Sequence, residues 1–214
     1  MCALTTDCDD SFLKVPKELY LDVEEVRNLL GNLVPYVKAK LRNQSFIAAL
    51  GVKKIVTLDL VLGEIHRWTS IATRRNSPFG KEKEFVVPFS QIKRINLYLL
   101  QKCLKSANES ERIYKAFQES PLVFLPMSSQ SSSQSPCPGK FYHKKEVCWE
   151  DPTGVVKTQA ETKGGSYPFK RELLCRHYPE PDLKKFFLEI LRIDLNPNID
   201  EYINLAATIT EGKN

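Results

Sequence analysis

Residues 45–68 read SFIAALGVKKIVTLDLVLGEIHRW, and residues 186–209 read FFLEILRIDLNPNIDEYINLAATI. The two stretches share one register, because 187 − 46, 191 − 50, 193 − 52 and 200 − 59 all equal 141. At that offset Phe46 meets Phe187, Leu50 meets Leu191, Val52 meets Ile193, Leu58 meets Ile199 and Asp59 meets Asp200. Thr57 and Asn198 also coincide, and both residue types favour helix N-caps, where a side-chain oxygen accepts from an N–H of the first turn. Each stretch therefore reads as a helix end, a short link, a cap and a second amphipathic helix. Val52 and Ile193 fall where an apolar side chain would seal the joint. Phe46 and Phe187 fall where each would anchor the first helix. A repeated unit of this kind points to stacked packing elements, and to a scaffold before an enzyme.

Upstream, residues 1–14 read as a loose leader. Asp22 is placed to cap a helix VEEVRNLLG ending at Gly31, and 34–50 is a second apolar-periodic stretch ending at Gly51. The residues from 73 to 83 (TRRNSPFGKEK) form a polar turn region. Phe89 to Leu104 carries a helical pattern, and Asn108 is placed to cap the next helix, which Pro121 stops.

The period then changes. Leu122 to Leu125 is a short apolar run closed by Pro126, which reads as a buried strand. Residues 128–139 (SSQSSSQSPCPG) are a low-complexity loop, and 145–151 (KEVCWED) is a second β-like segment. Trp149 is its core anchor, with Val147 on the same side by alternation. The expected class is α+β, mostly helical, with helical hairpins flanking a small central β-sheet. The expected divisions are a leader (1–14), a helical part (15–120), a β-containing insert (121–178) and a C-terminal helical hairpin (179–214).

A chain of 214 residues with 42% apolar composition is long and apolar enough to bury a core. Its net charge of +5 is a modest excess, without a run of five like charges. Arg74, Arg75, Lys81, Lys83, Lys144 and Lys145 are the residues that could form a basic face for nucleic acid. The six cysteines show no C-x-x-C pair. Free thiols in a reducing, intracellular compartment, cytoplasmic or nuclear, are the expected state. No apolar run approaches the length of a membrane span.

Chemistry is hard to find in the sequence. His66, His143 and His177 each read as surface or packing residues. Glu146, Glu150 and Asp151 read as charges on an edge strand rather than a carboxylate cluster. No Walker A, H-E-x-x-H or G-x-S-x-G sequence occurs, and no glycine-rich turn opens a helix to cradle phosphate. No catalytic, cofactor-binding or metal-ligating residue is assigned.

Residues 139–154 (GKFYHKKEVCWEDPTG) are the most specific phrase in the chain. They resemble the G-x-F…E-V-x-W-x-D-x-T-G element of the No Vein family. Ile113 to Phe117 and Leu122 to Pro126 resemble the segment that family places upstream. His177-Tyr178-Pro179 with Leu183 and Phe186-Phe187 resembles its Y-P-x-L-x-x-F-F element, and Leu50-Gly51-Val52 with Thr57-Leu58-Asp59 resembles its L-G-V…P-T-L element. The matches keep their order across 45–206.

The resemblance implies long proteins that carry a histidine-kinase- and Hsp90-like ATPase domain, akin to that of sacsin, followed by regions like this one. The D-x-G-x-G loop of that ATPase does not occur here. The chain departs from the family pattern at Arg192, which stands where the first copy has Gly51, and at Asn196-Pro197-Asn198 in place of a Pro-Thr pair. The resemblance thus implies a non-enzymatic scaffold or interaction segment, its partners being proteins or neighbouring repeats. A basic nucleic-acid-associated module is the alternative.

Overall fold

The computed structural model describes residues 15–31, 34–37, 43–74, 86–127, 136–154, 171–203 and 207. The expected leader, Arg75, Lys81 and Lys83, and the side chain of Arg74 lie outside the described residues. The class is α+β, mostly helical, with a small antiparallel sheet. Two compact units divide the chain, Met1–Val61 and Leu62–Asn214.

In the first unit an extended segment around Tyr20 runs between two others. The Tyr20 and Leu21 N–H groups donate to the Pro35 and Lys53 carbonyls, at 3.0 and 2.8 Å. Helix α1 (Glu24–Leu30) starts at Val23 without a side-chain cap. Asp22 does not cap it, because its carboxylate is taken by Arg27 through two bonds of 2.7 Å. The second helix, α2 (Gln44–Leu50), is shorter than the 34–50 periodicity implies. Residues 34–37 are extended, and the Val37 N–H donates to the Tyr20 carbonyl. Leu19, Val37, Ile47 and Val52 form the core of this unit.

Helix α3 (Leu58–Arg74) follows. In the second unit, β1 (Val86–Pro88) leads into α4 (Phe89–Lys105), and α5 (Ala107–Glu119) comes next. Ser106, not Asn108, caps α5, its hydroxyl accepting from the Glu109 N–H. Strands β2 (Val123–Pro126) and β3 (Pro136–Tyr142) complete a sheet in the order β1-β3-β2. The low-complexity loop is therefore shorter than expected, since 136–139 belong to the central strand. The expected partner of β2, the 145–151 segment, lies in a different sheet. There β4 (Val147–Cys148) pairs in parallel with β5 (Glu172–Leu173). Helix α6 (Pro181–Lys185) runs into a π-helical turn, Phe186–Ile190. Residues 199–203 and 207 are helical.

Aromatic rings fill the second unit. Phe117 meets Phe186 edge-on at 5.9 Å, and Tyr178 lies 4.8 Å from Phe187. The Tyr178 hydroxyl donates to the Phe124 carbonyl at 2.6 Å, which ties the α6 approach to the sheet.

Gly139 shows how close that packing is. The Phe124 ring lies directly over its Cα, and a Cβ there would also sit 2.6 Å from the Leu125 carbonyl oxygen. Gly139→Ala is expected to lower unfolding free energy in urea by about 2–3 kcal/mol, as for a forced insertion into a packed site. A loss below about 0.5 kcal/mol would show that β3 can shift aside without cost.

Candidate functional site

The phrase at 139–154 is the place to look for function, and its residues are engaged one by one in the fold. Phe141 pairs with Phe124 across the β2–β3 ladder, ring centroids 5.2 Å apart. Glu146 turns back to accept from the His143 N–H at 2.7 Å, closing a capping box around the 3-10 turn Lys144–Glu146. Val147, Cys148 and Trp149 are all buried. Alternation fails here, because side chains on both faces are buried, and the backbone is bonded along both edges: the Trp149 and Glu150 N–H groups donate to the Asp194 and Leu195 carbonyls, and the Cys148 and Trp149 carbonyls accept from Leu174 and Cys175. The Asp151 carboxylate accepts from the Thr153 hydroxyl at 3.1 Å, and Gly154 turns the chain at φ +75°. Glu146, Glu150 and Asp151 thus have separate structural tasks.

Trp149 packs on Phe187, ring centroids 6.4 Å apart, and Lys184 sits over its face at 5.6 Å. Burial pushes the Cys148 thiol up to about 12, so it stays protonated and acts as a small apolar group. His177 lies edge-on to Phe89, and burial lowers its pKa.

Beneath this segment lies a residue the sequence does not single out. Arg171 donates from Nε to Glu201 at 2.8 Å and from a terminal nitrogen to Asp194 at 2.6 Å. Glu201 is itself 3% exposed, and its other oxygen accepts from the Asn198 N–H at 2.6 Å. The side chain of Asn198 accepts in return from the Glu201 N–H. A lone arginine between loops carries no periodicity, and only the spacing Asn198-x-x-Glu201 hints at its partner.

The two offset stretches share a positive-φ residue, an inward residue after it and a capped second helix, but their turns close differently: the Val52 N–H donates to the Ile47 carbonyl and the Ile193 N–H to the Phe187 carbonyl. Helix α2 ends at Leu50, Gly51 is left-handed at φ 73°, and Val52 turns inward at 6% exposure. The π turn ends at Ile190, Arg192 is left-handed at φ 54°, and Ile193 turns inward at 4%. Thr57 and Asn198 then accept from Leu60 and Glu201 N–H groups. The outer positions diverge. Phe187 is buried, but Phe46 is 46% exposed and does not anchor α2. Its helix is a short seven-residue element whose inward position is Ile47. Leu58 is buried, whereas Ile199 is 73% exposed. Among the described residues, Arg192 is the non-glycine residue with positive φ. That conformation costs an L-residue about 1–2 kcal/mol, which glycine avoids.

Of the expected basic face, the side chains of Lys144 and Lys145 are among the described residues. Lys145 is exposed, but Lys144 is partly buried. The Lys144 ammonium donates to the Leu191 carbonyl at 3.3 Å and lies 4.1 Å from the centre of the Tyr114 ring. Arg192 covers the same ring at 5.2 Å. The ammonium, hydrogen-bonded to the phenol, holds the Tyr114 pKa below its ordinary value. Among the described residues no group of three or more His, Cys, Asp or Glu side chains is placed to hold a metal ion.

Comparison with known proteins gives one relative. The chain is 26% identical over 200 residues to Protein NO VEIN of Arabidopsis thaliana. The match takes in 92% of this chain and 7% of that protein, so the chain spans a small part of its relative's length. This supports a No Vein-like relationship. No family model and no solved structure matches.

Two substitutions measure the site. Arg171→Met is expected to cost about 3–5 kcal/mol, because it strands a buried carboxylate. Adding Glu201→Gln, which removes the stranded charge, should return at least about 1 kcal/mol in a double-mutant cycle. Trp149→Ala is expected to cost about 3–5 kcal/mol. Urea melts showing less than about 1 kcal/mol for either single variant would place that side chain outside the structural core.

Proposed function

We propose that this chain is a non-catalytic scaffold or protein-interaction segment, similar to the repeat region of No Vein or sacsin-like proteins. One observation carries the reading: the residues that make up the shared phrase are spent on caps, turns and ring packing. Gly139, Phe141, Glu146, Trp149, Asp151 and Gly154 each have a packing or turn task in the fold. A pattern composed of such residues specifies a shape for other surfaces to meet. Its partners are protein segments or neighbouring units of the same kind. Cys103, Cys137, Cys148 and Cys175 are free, which suits a reducing compartment, cytoplasmic or nuclear. No helix among the described residues is long and apolar enough to cross a membrane.

The nucleic-acid alternative has less behind it, since Lys144 is bonded to a carbonyl and a phenol within its own fold. Calorimetric titration with Mg-ATP should be flat at micromolar ligand. Binding of a labelled short duplex should be weak and non-saturating at physiological salt. A clear ATP isotherm would overturn the non-catalytic reading. Saturable duplex binding that weakens steeply with salt would favour the nucleic-acid module, because each neutralised phosphate releases counterions.

A further inference from the structure

We propose that Arg192, together with Lys144 and Tyr114, is a docking point for a carboxylate or phosphate group carried by an acidic peptide segment of a protein partner. The proposal rests on the reading of the chain as an interaction segment. Its starting point is the contrast between two turns that place a positive-φ residue at matched positions. Gly51 occupies the left-handed position in the first turn, and Arg192 occupies it in the second at φ 54°. The turn alone favours glycine at both places. An arginine held there against its backbone preference calls for a role outside the turn, as strained residues at binding sites commonly have.

What surrounds Arg192 indicates that role. It is exposed, and its guanidinium and the Lys144 ammonium converge on one ring, at 5.2 and 4.1 Å. Like charges gathered this closely repel one another. Among the described residues neither cation forms an ion pair with a carboxylate, and their recorded contacts are the ring, its phenol and the Leu191 carbonyl. Lys144 has three N–H donors and gives one to that carbonyl. Arg192 has a five-donor fork suited to bidentate carboxylate or phosphate. An incoming anion would relieve the repulsion and use the remaining donors.

The surroundings favour a peptide over a nucleic acid. Glu111 lies close enough to act on the Tyr114 phenol, and Glu146 sits in the same turn as Lys144. Interleaved carboxylates suit one or two discrete anionic groups better than a continuous row of phosphates.

The test is fluorescence anisotropy with the full chain and two labelled probes, a glutamate-rich peptide and its phosphoserine counterpart. A matched oligonucleotide is the third arm. Wild-type chain should bind at least one peptide saturably, and the two peptides tell carboxylate from phosphate. Arg192→Gly should weaken that binding roughly ten-fold, the loss of one charge-assisted contact. Its melting temperature should hold or rise, since the strained side chain is gone. Arg192→Asn, which tolerates the left-handed backbone without charge, is the second variant and should behave alike. Wild-type affinity retained in either variant overturns the proposal, as does a wild-type chain that binds neither peptide. Preference for the oligonucleotide over both peptides also overturns it, in favour of a nucleic-acid site. The ATP and duplex titrations described above do not depend on peptide binding, so failure here is distinct from failure of the scaffold reading.

Discussion

A guanidinium shielded from water must find its counter-charges inside the fold, and Arg171 finds two. Its side chain is 9% exposed and is held by Glu201 and Asp194. Removal of Arg171 or Glu201 would leave a buried charge without its buried partner, whereas Asp194 holds the guanidinium from the exposed side. Asp194 and Glu201 belong to the link and helix that close the chain, while Arg171 directly precedes β5. The ion group therefore fixes the last hairpin against the sheet edge. Segment 147–150 lies between them, hydrogen-bonded on one side to Leu174 and Cys175 and on the other to Asp194 and Leu195. Trp149 can be buried against Phe187 because both flanks of its backbone are already satisfied.

This arrangement gives the No Vein-like similarity its physical content. Glycine, aspartate and threonine recur in the phrase at places where a side chain would collide, a turn must close or φ must be positive. Gly139 leaves room for Phe124, and Gly154 carries the turn that Asp151 and Thr153 bond across. Such requirements survive wide divergence because they constrain backbone shape and tolerate change elsewhere.

The parts of the fold that were legible in the sequence are those fixed by local chemistry. Caps at Thr57 and Asn198, the glycine at 51 and the helical periods of α3 and α4 follow from contacts within a few residues. The parts that were not legible depend on distant partners. Strand β3 begins with Pro136 and Pro138 beside a serine-rich stretch, which resembles a loop until β1 and β2 are seen pairing on either side. Segment 145–151 alternates in sequence as a one-faced strand would, yet Val147, Cys148 and Trp149 are all buried because distant segments cover both of its faces. Asp22 has the chemistry of a cap and was drawn instead to Arg27. Of the candidate site, Trp149 was visible by its place in the phrase, and Arg171 was hidden because an ion pair across 30 residues leaves no period.

The two turns show one backbone device carrying different surface chemistry. Their inward residues, Val52 and Ile193, are constrained alike by packing, and their caps are constrained alike by unpaired N–H groups. At Gly51 a Cβ would meet Lys17 at 3.0 Å, whereas the Arg192 side chain is exposed outside the joint. Glycine is the residue that the positive φ alone favours at both places. The outer helix positions separate in the same way, Leu58 being buried and Ile199 exposed. Packing fixes the inward residue and the cap of both stretches, while the positions that flank them differ in what they bury.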